Sequence, residues 1–219
     1  MTTDRGYGIV WLDAHIGDKE SCLKMKKEFG ANLAQVGAVP PVPYDPINDL
    51  ICVVSEYCAP ISFTDKVDGA LKQIEEISLL KKVILISSAT LGRQIYPEIV
   101  NKQLQIQSYY VFCANIEAHA DFGNDCINDG LDTQMFDHEK TLLIRLGRDM
   151  SKILIEDGKT LLNTGQPELA LTYFQYAYAL ADKAFEHDTP VDADDKHRPS
   201  TEYRRILDDL IDKAKKARK

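Results

Sequence analysis

Six residues, Val83-Ile84-Leu85-Ile86-Ser87-Ser88, constrain the fold more than any other stretch of this chain. The run is aliphatic without alternation, so a strand built from it is buried on both faces and needs parallel neighbours with helices on either side. Other segments supply those neighbours. Gly8 to Asp13, Ile61 to Thr64, Ser108 to Cys113 and Thr133 to Phe136 read as four further strands, short and rich in β-branched, aliphatic or aromatic residues. Between them stand segments of helical spacing. Leu23, Met25, Phe29 and Leu33 mark a helix over 18–33, with Asp18 as candidate N-cap. Val67, Ala70, Leu71, Ile74 and Ile77 mark another, with Asp65 as its candidate cap. Thr90-Leu91-Gly92-Arg93 reads as a turn, followed by a helix carrying Ile95, Ile99, Val100 and Leu104, and 117–126 reads as helical. Five alternations predict a mostly parallel, doubly wound sheet of five strands in flavodoxin-like order.

One stretch resists the pattern. Five of the nine prolines, Pro40, Pro41, Pro43, Pro46 and Pro60, fall within 37–60, which predicts a loop or insertion there. Asn48 to Val54 inside it fits a short helix or a strand equally. Beyond Asp137-His138-Glu139 the spacing of Leu142, Leu143, Leu146, Met150, Ile153 and Leu154 is helical only. The reading is thus an α/β domain over 1–138 and a helical extension over 139–219.

The formal net charge is −8, which argues against a nucleic-acid or anionic-membrane binder, since both require a basic footprint. Lys213, Lys215, Lys216, Arg218 and Lys219 are the one basic concentration, placed where cations favour a helix C-terminus. No apolar run reaches the ~18 residues of a membrane helix, and 1–6 lack the apolar stretch of a signal peptide. Five cysteines, none at Cys-x-x-Cys spacing, fit reduced thiols. The expected compartment is the cytosol.

Residues 151–184 carry Gly158, Leu161, Leu162, Gly165, Ala170, Phe174 and Ala177 at distinctive spacings, and they resemble one tetratricopeptide repeat, a helix-turn-helix unit of about 34 residues. Gly158 and Ala170 are small where two helices cross, and Leu162 and Phe174 fill the space around them. Gly165 accepts the positive φ that ends a helix. Pro167 suits the first turn of the next. A lone repeat cannot bury its apolar face, so a preceding helix from 139 and a final helix over 202–216, striped by Tyr203, Ile206, Leu207, Leu210 and Ile211, are expected to cover it. The polar stretch 186–200, with Asp188, Asp192, Asp194 and Asp195, lacks the Gly and Glu of a calcium loop.

In open α/β sheets ligands bind beyond the carboxyl ends of the strands. The candidate ligand residues there are Asp13, Ser87, Ser88, Thr90, Gly92 and Arg93, offering backbone donors and one guanidinium to an anion or nucleotide. The bland alternative has Ser87, Ser88 and Thr90 satisfying turn donors. No phosphate loop or Gly-x-Gly-x-x-Gly is present. A receiver domain has the same layering, and Asp13 resembles its metal-binding acid. The comparison fails at Ser87, where the acceptor aspartate belongs, and at Asp137 and His138, where the lysine belongs. A hydrolase reading would pair Cys113 with His15, His119 or His138, oriented by Asp13 or Asp137; a cysteine ending a buried strand is more often apolar filler. The sequence implies no metal and no cofactor.

Around 7–150, Val10 to Ala14, Asp45 to Leu50, Ile86 to Arg93, Val111 to Cys113 and Met135 to Glu139 give a further likeness. The region is similar to an α/β domain found ahead of tetratricopeptide or ADP-ribosyltransferase modules in some large eukaryotic families. That resemblance implies a regulatory or docking domain and brings no catalytic residue. The expectation is a non-catalytic adaptor that takes a protein or peptide partner, with Asn163 and Gln175 as candidate contact residues; its oligomeric state is left open.

Overall fold

The computed structural model describes residues 6–14, 46–188 and 199–218. The expected helix over 18–33, His15, Cys22, Pro40, Pro41 and Pro43, and the acidic residues Asp192, Asp194 and Asp195 lie outside them.

Strands β1 (Tyr7–Leu12), β2 (Ile61–Thr64), β3 (Lys82–Ser88), β4 (Ile106–Phe112) and β5 (Thr133–Phe136) form one sheet in the order β2-β1-β3-β4-β5, every pair parallel. This is the flavodoxin-like order, with its switch point between β1 and β3. The run that dominates the sequence is the central strand: Val83, Ile84, Leu85 and Ile86 are all at 0 % exposure. Helices α1 (Pro46–Tyr57), α2 (Val67–Ser78), α3 (Ala89–Asn101) and α4 (Ala120–Asn128) are interspersed with the strands.

Strand residues of one parity share a core with α2, α3 and α4. Val10, Leu12, Val83, Leu85, Tyr109 and Val111 meet Ala70, Leu71, Ile74, Ile95, Ile99 and Phe122 there. Three successive crossovers to the right, all of one hand, put these three helices on one face. On the opposite parity Trp11 lies 5.5 Å from Phe63, and Tyr110 stacks on Phe136 at 6.1 Å.

Several sequence expectations are corrected. Residues 46–57 form a helix, which resolves the choice between helix and strand left open at 48–54 and extends helix to both sides of it within the expected loop. Proline at a first helical position costs no bond, and Leu50, Ile51 and Val54 then fall on one buried stripe. Asp65 is not the cap of α2: Lys66 holds that position with no side-chain bond, while the Thr64 hydroxyl accepts its N–H at 3.4 Å. Thr90 to Arg93 are not a turn but the first turns of α3, which starts straight from β3 with an extended Ser88 as its N-cap. Glu117–His119 form a 3-10 turn ahead of α4. Leu104 lies past α3, whose end closes when Gln103 takes φ +52° and the Leu104 N–H donates to Ile99 O at 3.0 Å. Leu104 then packs on the core, the hydrophobic contact expected of such a cap.

The chain divides into two compact units, Met1–Asp49 with Ala59–Leu142, and Leu50–Cys58 with Leu143–Lys219. Beyond the sheet come α5 (Glu139–Asn163), α6 (Pro167–His187) and α7 (Pro199–Ala217). No break separates a helix from 139 and the first repeat helix, because α5 runs through both. Gly165 has φ +77°, its N–H donates to Leu162 O at 3.2 Å, and the Gln166 N–H donates to Leu161 O at 2.9 Å. Pro167 then opens α6. At the crossing, a Cβ on Gly158 would stand 2.6 Å from a ring carbon of Phe174, so only glycine admits this approach. Ala170, Phe174 and Ala177 are all at 0 % exposure. The Ser151 hydroxyl donates to Ala177 O at 2.6 Å and lies 3.0 Å from the Tyr203 hydroxyl, linking three helices. Leu207, Leu210 and Ala214 bury the inner stripe of α7, while Ile206, expected on it, is 44 % exposed.

Candidate functional site

The carboxyl ends of the strands gather most of the chemistry-bearing residues. Asp13 follows β1, is buried, and donates its N–H to Thr64 O at 3.0 Å. Ser87 is fully buried and its hydroxyl lies 2.7 Å from that of Tyr109, which is equally buried. Pairing two hydroxyls avoids the cost of burying either alone. Gly92 makes this possible. A Cβ there would stand 2.5 Å from the Tyr109 hydroxyl, 2.8 Å from Ser87 Oγ and 3.1 Å from the Phe122 ring. Ser87 therefore bonds neither a turn donor nor a group at the mouth of the sheet.

Ser88 caps α3 by position, and its side chain makes no cap bond. Thr90 is exposed. Arg93 reaches across to α4, donating to Asp121 Oδ1 at 2.7 Å with its guanidinium 5.2 Å above the Phe122 ring. That hydrogen bond holds the Asp121 carboxyl below the usual carboxylate range. Of the six expected ligand residues, Ser87 and Gly92 meet in the core around Tyr109. Arg93 is committed to Asp121. Sequence reasoning missed both partners, which lie 22 and 28 residues away from Ser87 and Arg93. The available signal was an aromatic hydroxyl in a buried strand, which must find a partner.

Cys113 directly follows β4, donating its N–H to Phe136 O at 2.8 Å. Burial first, and the Asp137 charge second, push its thiol up, opposed by a hydrogen bond from the Asn115 N–H. A raised thiol is protonated at neutral pH and is a poor nucleophile. Among the described residues no histidine acts on this thiol: His138 is exposed, and the Nδ1 of His119 is buried without a hydrogen-bond partner, while His15 lies outside them. Asn115 Oδ1 instead accepts the Ala118 N–H at 3.2 Å. Among the described residues no group of three or more His, Cys, Asp or Glu side chains is placed to hold a metal ion, and no helix is long and apolar enough to cross a membrane.

In the helical unit Asn163, the last residue of α5, and Gln175 on α6 are both exposed. The helices around them are tied by ion pairs. Arg148 pairs with Asp188 and sits 4.9 Å over the Phe185 ring, Arg204 pairs with Asp182, and Arg218 meets Glu168 at 2.6 Å. The rings of Tyr57 and Tyr176 lie 5.6 Å apart, tilted at 47° to each other. In comparisons with known proteins, no family model, no curated protein and no solved structure matches the chain.

Proposed function

We propose that the chain is a protein-interaction adaptor. The α5–α6 hairpin presents a surface to a partner protein or peptide, and the α/β unit serves as a second docking surface or regulatory head. One observation carries the reading: the interlock of Gly158 with Phe174, backed by fully buried Ala170 and Ala177, makes the hairpin stiff. A stiff helix pair loses little entropy on binding, which is what a docking surface needs. The likeness of 151–184 to a tetratricopeptide repeat supports the same reading. So does the state of Cys113, whose thiol burial pushes up, away from the thiolate that a hydrolase would use.

The test uses the full chain immobilised beside an Asn163→Ala/Gln175→Ala variant, with bound proteins quantified by mass spectrometry. Both residues are exposed, so helical content and melting stay unchanged. At least one partner is expected to drop by about tenfold or more, the scale of a contact residue. Every partner retained at wild-type level would sink the hairpin surface.

A second reading, nucleotide or small-anion sensing at the strand ends, has the uncapped first turn of α3 in its favour. A ligand at about 100 times its dissociation constant adds roughly 2.7 kcal/mol, visible as a thermal shift. No shift with nucleotides or phosphorylated metabolites retires it.

A further inference from the structure

Helix α7 lies on α6 and runs against it. Arg218, just past its end, meets Glu168 in the first turn of α6, while Arg204 near its start pairs with Asp182. Tyr203 also meets the Phe185 ring edge-on at 6.2 Å. Glu168, Gln175 and Asp182 are spaced by seven residues, close to two helical turns, so they share one line of α6. α7 bridges both ends of that line and therefore follows it. Gln175, at its middle, is one of the two residues that the hairpin reading gives to a partner.

The grip of α7 is light for its length. Among the described residues of this helix only Leu207, Leu210 and Ala214 are buried. Both ion pairs stand in water, where such pairs add little. By contrast, α5 and α6 interlock at Gly158 and Phe174 with no room for a methyl group. The Ser151 hydroxyl gives its proton to Ala177 O, so the Tyr203 hydroxyl is the donor between the two. Lifting α7 away leaves Ser151 its backbone bond, and no buried hydroxyl is orphaned. α7 also has Pro199 at its first position, Glu202 in its first turn, and Lys215 and Lys216 in its last. Part of its helicity is thus encoded locally, as suits a segment that docks and undocks.

We infer that α7 is a built-in ligand of α6, held on the strip that a partner helix takes, and that this partner is an amphipathic helix of α7's own pattern. The pattern sets Tyr203, Leu207, Leu210 and Ala214 at spacings of four, three and four, with arginines at both ends for Asp182 and Glu168. Such a seam suits one helix laid along another. Docked α7 keeps the strip closed, and the partner's apparent affinity falls with the fraction of chains that are open. The inference rests on the hairpin reading, yet the two fail separately. It falls if α7 does not exchange, whatever proteins are captured, whereas that reading falls if the Asn163→Ala/Gln175→Ala variant keeps every partner.

Hydrogen exchange of the wild-type full chain, followed by mass spectrometry, tests the opening. Amides of α7 are expected to exchange at least about tenfold faster than those around Gly158 and Phe174, because α7 opens without the hairpin. Equal protection overturns the inference. A fluorescein-labelled peptide of residues 199–218, titrated by anisotropy, tests the exchange. Leu207→Asp/Leu210→Asp in the full chain lifts α7 and is expected to bind this peptide about tenfold or more tighter than wild type does. Arg204→Glu/Arg218→Glu, which cuts only the two rim pairs, should fall between. A peptide carrying the same two aspartates is expected not to bind. Variants that take the peptide no tighter than wild type overturn the inference; if the leucine variant unfolds, the wild-type exchange and the arginine variant still decide. An arginine variant that dimerises as its concentration rises, seen by sedimentation velocity, would assign the strip to α7 of a second copy and overturn the partner helix.

Discussion

Two glycines on one helix separate close packing from mere tolerance. At Gly158, alanine gains about 0.5–1 kcal/mol of helix propensity. Its Cβ, however, would stand 2.6, 2.9 and 3.1 Å from three carbons of the Phe174 ring, against the ~3.5–4.0 Å of comfortable carbon contact. The ring is at 0 % exposure and cannot swing into water, so overpacking of about 1–3 kcal/mol applies. Gly158→Ala is therefore expected to destabilise by about 1–2 kcal/mol net. At Gly147 a Cβ would meet the Ala184 Cβ at 3.5 Å and Leu180 O at 3.6 Å, both ordinary contacts. Gly147→Ala keeps its propensity gain and is expected to stabilise by about 0.5–1 kcal/mol. The two variants should then differ by about 2 kcal/mol, or roughly 4–8 °C in Tm for a chain of this size. Urea unfolding followed by circular dichroism at 222 nm measures the difference. Phe174→Leu in the Gly158→Ala background should relieve the clash and shrink its penalty. If Gly158→Ala is as stable as the wild type, or if the two alanines behave alike, the close crossing of α5 and α6 is wrong.

Further outcomes follow from the α/β unit. Gly92→Ala drives a Cβ against the Ser87–Tyr109 hydroxyl pair and should cost about 2–3 kcal/mol by chemical denaturation; no loss would refute the buried pair. Burial pushes the Cys126 thiol up to about 12, so the folded chain keeps a proton that the unfolded chain loses near the ordinary thiol value. Its contribution is complete at neutral pH and fades as pH rises toward about 12. The urea midpoint should fall less steeply from neutral to alkaline pH in Cys126→Ala than in wild type, and equal slopes would refute this. Cys113, also raised, should alkylate with iodoacetamide at neutral pH more slowly than free glutathione, followed by peptide mass spectrometry. Faster labelling would reopen the nucleophile reading.

Layering was legible from the chain because it rests on periodicity. The unbroken aliphatic run at 83–86, four weaker strands and helical spacing between them sufficed for a doubly wound parallel sheet. Gly165 and Pro167 likewise announced the hairpin turn, since each residue's backbone restriction acts locally. Where local signals conflicted, reading failed. Proline density left 48–54 undecided between helix and strand, although proline is harmless at the first position of α1, and Gly92 looked like a turn because its small size serves a contact rather than a bend.

Which hydroxyl Ser87 meets, which carboxylate takes Arg93, and where His119 and His138 stand were decided only by tertiary structure. A strand apolar on both faces gives no hint of which parity points to which helix, and the partners lie 22 and 28 residues away. Side-chain pairing across such distances follows from strand register and helix placement, which come from the packing of the whole unit. Local propensity carries the alternation of elements, whereas the meeting of particular side chains is a property of the assembled sheet.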